Sequence, residues 1–108
     1  MMPATHFAVR THHRLPVACI VYYANADLDG TGNLWNLSLT GCRVDGNVLV
    51  RAGMRFKLLV LLPGKHASIV IREAQVAWTR GQEFGLSLVN VQAHEAARLE
   101  KFVRQKIA

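Results

Sequence analysis

The chain has 108 residues, which is enough for one domain with a modest hydrophobic core. No apolar run approaches the roughly 18 residues needed to cross a bilayer, and residues 1–9 lack the apolar centre of a signal peptide. We therefore expect a soluble, cytoplasmic protein without a membrane span. The 13 basic and 7 acidic residues give a net charge of +6, which favours an anionic partner of unspecified class.

The sequence contains no recognisable pattern for metal or catalytic chemistry. Cys19 and Cys42 lie in apolar, strand-like stretches and are predicted to be buried thiols rather than a disulfide. His6, His12 and His13 lie close together, but no Cys or His pair completes a zinc-like spacing. The acidic residues are scattered, and neither a nucleophile motif nor a phosphate-binding glycine loop is present. We predict a protein that is not an enzyme and that holds neither metal nor cofactor.

Residues 1–14 have few apolar residues and no hydrophobic period, which predicts a flexible N-terminal arm. Arg10 and Arg14 lie near its end, shortly before Pro16, which cannot donate to a strand ladder. A guanidinium group is planar and forked, so it binds guanine O6 and N7 together or clamps a phosphate. The arm therefore carries two candidate ligand-binding side chains.

Residues 15–108 are predicted to fold as a mainly β domain. The strand-like stretches are residues 17–23, 34–39, 42–45, 55–62, 67–80 and 83–89, and residues 25–33 read as a turn. The stretch 55–62 is apolar on both faces beyond Lys57, so it should be central or covered by a helix. Within 67–80 the apolar phase switches at Arg72 and Glu73, which predicts a bulge.

The C-terminal residues 90–108 change to a helical period. Apolar side chains recur at three-to-four spacing, at Ala96, Leu99, Val103 and Ile107. This pattern predicts an amphipathic helix that covers one end of the β domain. The fold class that follows is a small six-stranded antiparallel β-barrel with a C-terminal α-helix.

A polar cluster that ends in glycine accompanies the second predicted strand. If residues 34–39 are extended, Asn36 and Ser38 share one face about 6.5–7 Å apart, and Leu37 points to the other. That spacing suits an amide on a base edge and a hydroxyl near a sugar or phosphate. Gly41 would let the backbone approach a ligand closely, or would take a positive φ where the strand ends.

The two tryptophans receive different interpretations. Trp78 is followed two residues later by Arg80 and could stack on a base, although packing in the core with Val76 is slightly favoured. Trp35 is predicted to be a core residue. We include Trp78 among the candidate ligand-binding residues.

The two motifs together resemble the signature of the PilZ domain family, R-x-x-x-R followed by [D/N]-x-S-x-x-G. In this chain they read Arg10-Thr11-His12-His13-Arg14 and Asn36-Leu37-Ser38-Leu39-Thr40-Gly41, and the resemblance spans about residues 10–107. It implies a small bacterial barrel of split-barrel type that binds the second messenger cyclic di-GMP. It also implies that Arg10 and Arg14 wrap the ligand from the arm.

By the same resemblance, Asn36 and Ser38 would meet the ligand from the barrel, and Gly41 would shape the strand end. Three functions follow, in order of preference. The first is a cyclic di-GMP receptor that acts on a protein effector and regulates motility or biofilm traits. The second is a PilZ-type protein adaptor with little nucleotide affinity. The third, disfavoured because the chain has few aromatic residues, is a small basic barrel that binds single-stranded nucleic acid.

Overall fold

The computed structural model describes residues 19–63 and 68–107. Within these residues six antiparallel strands form a closed barrel, and one helix follows. The elements are β1 (Cys19–Ala24), β2 (Asp29–Trp35), β3 (Gly41–Gly46), β4 (Arg55–Leu61), β5 (Ile69–Arg80), β6 (Glu83–Asn90) and α1 (Ala93–Ile107). The order around the barrel is β1-β2-β3-β6-β5-β4, and β4 pairs with β1 to close it. The predicted fold class is confirmed.

The core is built mainly by alternation along the strands, most regularly in β1 and β4. In β1, Cys19, Val21 and Tyr23 are buried and the residues between them are exposed. The Tyr23 ring meets Phe56 and Phe84 edge-on, with both centroid distances at 5.3 Å. Both predicted buried thiols are confirmed, and burial raises the pKa of the Cys19 thiol above its ordinary value.

β5 is bent by two bulges. The first lies against β4, where Arg72 and Glu73 oppose the single residue Lys57, and it confirms the predicted bulge. The second falls between Val76 and Trp78, where the β6 partners Leu86 and Gly85 are adjacent, so Ala77 is the extra residue. This bulge reverses the phase of the strand: Val76 is 2% exposed, whereas Trp78 is 41% exposed. The expectation that Trp78 packs in the core is therefore wrong.

The second strand begins and ends earlier than predicted. The turn is confined to the region of Asn25, whose side-chain oxygen accepts the backbone N–H groups of Asp27 and Leu28 at 2.8 and 3.0 Å. The glycine-rich stretch after it is a strand that pairs with β1, and Gly30 leaves room there for the ring of Tyr23. The expectation that Trp35 is a core residue is also wrong: the residue is only half-buried.

The helix α1 covers the barrel as predicted and adds a contact that the apolar pattern did not show. Leu99, Phe102 and Val103 join the buried core. Glu95 is also buried, and its carboxylate accepts the backbone N–H of Val70 at 3.0 Å. Since β6 pairs with β5 only from Glu73 onward, the helix satisfies the part of the β5 edge that β6 leaves open. In the part of the chain that the structure describes, no helix is long and apolar enough to span a membrane.

Candidate functional site

Residues 36–41, which we call the signature loop, connect β2 to β3. The prediction that Asn36 and Ser38 project from one strand face is wrong, because β2 ends at Trp35. Asn36 has a φ of 53°, in the left-handed region that Asn and Asp tolerate better than most residues. The chain therefore turns at Asn36, and the alternation assumed for a strand does not apply beyond it.

Ser38 closes the signature loop from inside. Its hydroxyl accepts the N–H of Gly41 at 3.2 Å and of Thr40 at 3.3 Å, and lies 3.1 Å from the carbonyl oxygen of Gly41. The backbone N–H of Ser38 donates to the same carbonyl at 3.0 Å. The residue is 0% exposed. The hydroxyl that was expected beside a sugar or phosphate is thus committed to holding the loop.

The turn, rather than the alternation of a strand, decides which neighbours of Ser38 are buried and which are exposed. Leu37 is buried in the core, as predicted. Leu39, which an extended strand would place on the same face as Leu37, is exposed. The loop therefore anchors itself through Leu37 and presents Leu39 and Thr40 to solvent.

Gly41 opens β3 where two backbones come close together. A Cβ atom at this position would lie 2.7 Å from the carbonyl oxygen of Leu86 on β6. Gly41 is not among the residues with positive φ, so the close approach is the reason for glycine here. Asn36, Ser38 and Gly41 are each required by the conformation of the loop itself.

An open cleft of about 320 Å³ lies beside the signature loop, on the outer surface of β3, β6 and β5. Its lining consists of Thr40, Gly41, Cys42, Ala77, Trp78, Gly85, Leu86 and Ser87. Gly41 pairs with Ser87 and Trp78 pairs with Gly85, so β6 forms the middle of the cleft. The structure thus brings together two of the predicted site residues, Gly41 and Trp78, which are distant in sequence.

Trp78 is the large side chain of this cleft, and Gly85 makes room for it. A Cβ at Gly85 would come within 2.2 Å of the indole Nε1 and 2.5 Å of Cε2. The indole therefore lies over the β6 backbone with part of its surface open to solvent. Gly85 was not identified from the sequence, although an isolated glycine at an outward position of a strand indicates close approach.

A fixed positive charge lies on the same outer surface. Arg43 is paired in register with Trp35 on one side and Gly85 on the other. Its guanidinium carbon is 6.0 Å from the centroid of the Trp35 ring, and its Nε is 3.0 Å from a carboxylate oxygen of Glu83. The indole N–H of Trp35 in turn donates to Asp45 at 3.0 Å. These contacts hold Arg43 in place one register position from Trp78.

Arg10 and Arg14 lie outside the described residues, as does the predicted N-terminal arm. Within residues 19–63 and 68–107 there is no group of three or more side chains able to hold a metal ion. The described part of the candidate site is therefore the signature loop, the cleft and Trp78.

The PilZ domain family matches residues 8–105, and the chain belongs to this family. PilZ domains are receptor and adaptor domains for cyclic di-GMP. The match extends across both signature motifs and the whole barrel. Among curated proteins, no sequence matches significantly.

Solved structures share the fold. The PilZ domain of YcgR from Escherichia coli, solved with c-di-GMP, has a TM-score of 0.72 at 17% identity, over 92% of each chain. The PilZ domain of CeSA from a cellulose-synthesizing bacterium has a TM-score of 0.68 at 17% identity, over 89% of this chain and 99% of that one. The Bacillus subtilis inhibitor of motility MotI/DgrA has a TM-score of 0.72 at 17% identity, over 92% of this chain. This chain covers 51% of MotI/DgrA, about half its length.

Proposed function

We propose that this protein is a receptor for cyclic di-GMP that passes the signal to a protein partner. The observation that carries the proposal is the half-exposed indole of Trp78, which stands in a cleft directly beside the signature loop. An indole face open to solvent is a stacking platform for a purine base, worth about 1–3 kcal/mol per base. The fold shared with a PilZ domain solved with c-di-GMP supports the same ligand.

The barrel side of the proposed site combines this platform with polar groups. Guanine stacks on Trp78, while the side-chain carbonyl of Asn36 accepts from its N1 and N2 donors. Ser87 lines the cleft opposite Gly41 and is exposed. An amide at position 36 lacks the charge of a carboxylate, so this contact is weaker than an aspartate would make.

The register of β1 supports delivery of the arginines to this site. Cys19 pairs with Leu34, two residues before Asn36, so the chain enters the barrel beside the signature loop. Arg14 precedes Cys19 by five residues, a reach of at most about 17 Å. Arg14 and Arg10 then close on the ligand from the N-terminal arm and bond its guanine edges and phosphates.

Ordering the arm supplies the signal. Fixing a residue costs roughly 1–2 kcal/mol of backbone entropy, so binding is enthalpy-driven and weaker than the number of contacts suggests. The arm ordered over the cleft changes the surface that a partner meets. Hydrogen exchange of residues 9–15 should slow markedly when cyclic di-GMP is added. Protection already present without ligand would rule out this mechanism, as would its failure to appear at saturation.

Calorimetric titration with cyclic di-GMP, GMP and single-stranded DNA tests the function. We expect binding of cyclic di-GMP alone, a loss of at least tenfold in affinity for Arg14→Ala and Trp78→Leu, and unchanged affinity for Arg51→Ala, which alters an exposed loop arginine. Fluorescence of Trp35→Phe, which leaves Trp78 as the only tryptophan, should change on binding. No heat with cyclic di-GMP from a folded protein would refute the receptor function.

The structure also gives a specific reason to keep the adaptor function as a second candidate. Asn36, Ser38 and Gly41 are all accounted for by the loop conformation, so an intact signature does not by itself require a nucleotide. A folded chain that binds no nucleotide in the same titration would favour the adaptor. Binding of single-stranded DNA would favour the third function, although Tyr22 and Trp78, the exposed aromatic residues of the described ranges, lie on strands that are not neighbours in the barrel.

A further inference from the structure

An apolar patch on the outer surface of β1 and β4, which we call the β1 face, has no described element over it. Ile20, Tyr22 and Leu59 are 50%, 45% and 37% exposed. The strand register makes them contiguous, because Tyr22 pairs with Leu59 and Ile20 pairs with Leu61. A joined patch of large apolar side chains, unlike scattered single ones, indicates a contact surface.

The β1 face is distinct from the cleft and from the helix. The helix α1 packs against β5. β4 lies between β5 and β1, so the expectation that this stretch is central or covered by a helix is met by its central position. Leu58 and Val60 are buried in the barrel, whereas Leu59 between them points outward. The same alternation in β1 directs Ile20 and Tyr22 outward. Both strands therefore expose large apolar side chains on the outer surface of the barrel.

Two opposite charges lie symmetrically on either side of the strand β1. Ala24 pairs with Asp29 of β2 on one side and with Lys57 of β4 on the other, so the three residues form one row across the barrel. Two strand spacings separate the charged residues by about 10 Å, too far for an ion pair between them. Among the ion pairs of the described residues, neither Asp29 nor Lys57 takes part.

We propose that the β1 face binds a second copy of this chain about a two-fold axis parallel to β1. Such an axis exchanges the two sides of β1, so Asp29 meets the partner subunit's Lys57 and Lys57 meets the partner subunit's Asp29. Tyr22 then packs against the partner's Tyr22. The same axis sets Leu59 against the partner subunit's Thr31, because Leu59 and Thr31 both pair with Tyr22. The face is thus self-complementary in charge, with Ile20 and Tyr22 as its apolar contact, as an isologous dimer requires.

The shape of the barrel sets the strength of this association. A six-stranded barrel curves away from β1 on both sides, so two such faces meet over a narrow strip. An interface well below about 1,200 Å² supports a weak, exchanging dimer. The inference is independent of nucleotide binding, since the β1 face shares no residue with the cleft.

Sedimentation equilibrium of the full chain from micromolar to millimolar concentration provides the first test. We expect a monomer–dimer equilibrium that Tyr22→Ser weakens at least tenfold. Leu49→Ser is the matched control, because Leu49 is a large exposed apolar residue outside the β1 face. A monomer at every concentration would overturn the proposal, as would equal effects of the two substitutions.

Charge reversal provides a test that depends on the two-fold arrangement itself. Asp29→Lys and Lys57→Asp should each weaken self-association at least tenfold, since each brings like charges together across the axis. Mixing these two variants should restore association, because the introduced lysine of one meets the introduced aspartate of the other. Circular dichroism verifies the fold of each variant. Failure of the mixture to associate more strongly than either variant alone would rule out this axis.

Discussion

The indole of Trp78 rests on the backbone of Gly85, with room for no side chain between them: a Cβ at Gly85 would lie 2.2 Å from the indole Nε1. The pair exists because a bulge at position 77 turns Trp78 outward and brings it into register with Gly85. Trp78, which simple alternation would place in the core with Val76, therefore lines the cleft instead.

Gly85→Ala should displace Trp78 and lower the affinity for cyclic di-GMP at least tenfold. The methyl group occupies the space of the indole ring, which must rotate away from the cleft. Fluorescence and calorimetry would measure the two effects. Gly53→Ala is the control for the same chemical change, since its Cβ would enter open space although its φ of +92° makes it destabilising. A wild-type affinity in Gly85→Ala would show that the position of the indole is irrelevant to the ligand.

Substitutions at Asn36 should separate its backbone role from its side-chain role. Asn36→Ala removes the short polar side chain that makes a φ of 53° tolerable, which costs up to about 1–2 kcal/mol of stability. Asn36→Gly relieves that strain and should preserve the melting temperature while still losing the amide contact with guanine. Full affinity in Asn36→Gly would restrict this residue to shaping the loop.

Ser38→Ala and Leu37→Ala should both destabilise the protein, for different reasons. Removing the buried hydroxyl leaves the N–H groups of Thr40 and Gly41 without their acceptor, at a cost of about 1–3 kcal/mol. Truncating Leu37 opens a cavity in the core and costs about 2–5 kcal/mol. Urea denaturation measures both. A free energy of unfolding unchanged in Ser38→Ala would contradict the structural role assigned to the hydroxyl.

Glu95→Ala should lower stability by about 1.5–3 kcal/mol, because it removes a charged acceptor from the partly buried N–H of Val70. The same change leaves Arg98, which lies 2.5 Å from the Glu95 carboxylate, without that ion pair. Glu100→Ala is the matched control: Glu100 pairs with Arg104 at 2.6 Å on the exposed side of the same helix, and such pairs contribute less than about 1 kcal/mol. Equal losses of stability in the two variants would show that the contact between Glu95 and the N–H of Val70 adds no stability of its own.

Period and alternation were sufficient to predict the barrel, the helix and the first bulge of β5. Buried residues such as Val44, Phe84 and Leu86 lie in stretches where apolar residues recur at every second position. This alternation can be recognised in the sequence without knowing which strands pair. The signature loop was placed wrongly because its polar residues look like the outward face of a strand. Only the turn at Asn36 and the closed hydrogen bonds of Ser38 reveal a loop.

The sequence by itself determined the class of fold and the family, because both depend on local spacing along the chain. The tertiary structure alone decided which side of the barrel Trp78 occupies, since the bulge before it is a relation between β5 and β6. It alone placed Asp29 and Lys57 on either side of β1, because one neighbour of β1 is the next strand and the other is β4, which is distant in sequence. Contacts of this kind depend on register, and register is fixed only when the barrel closes.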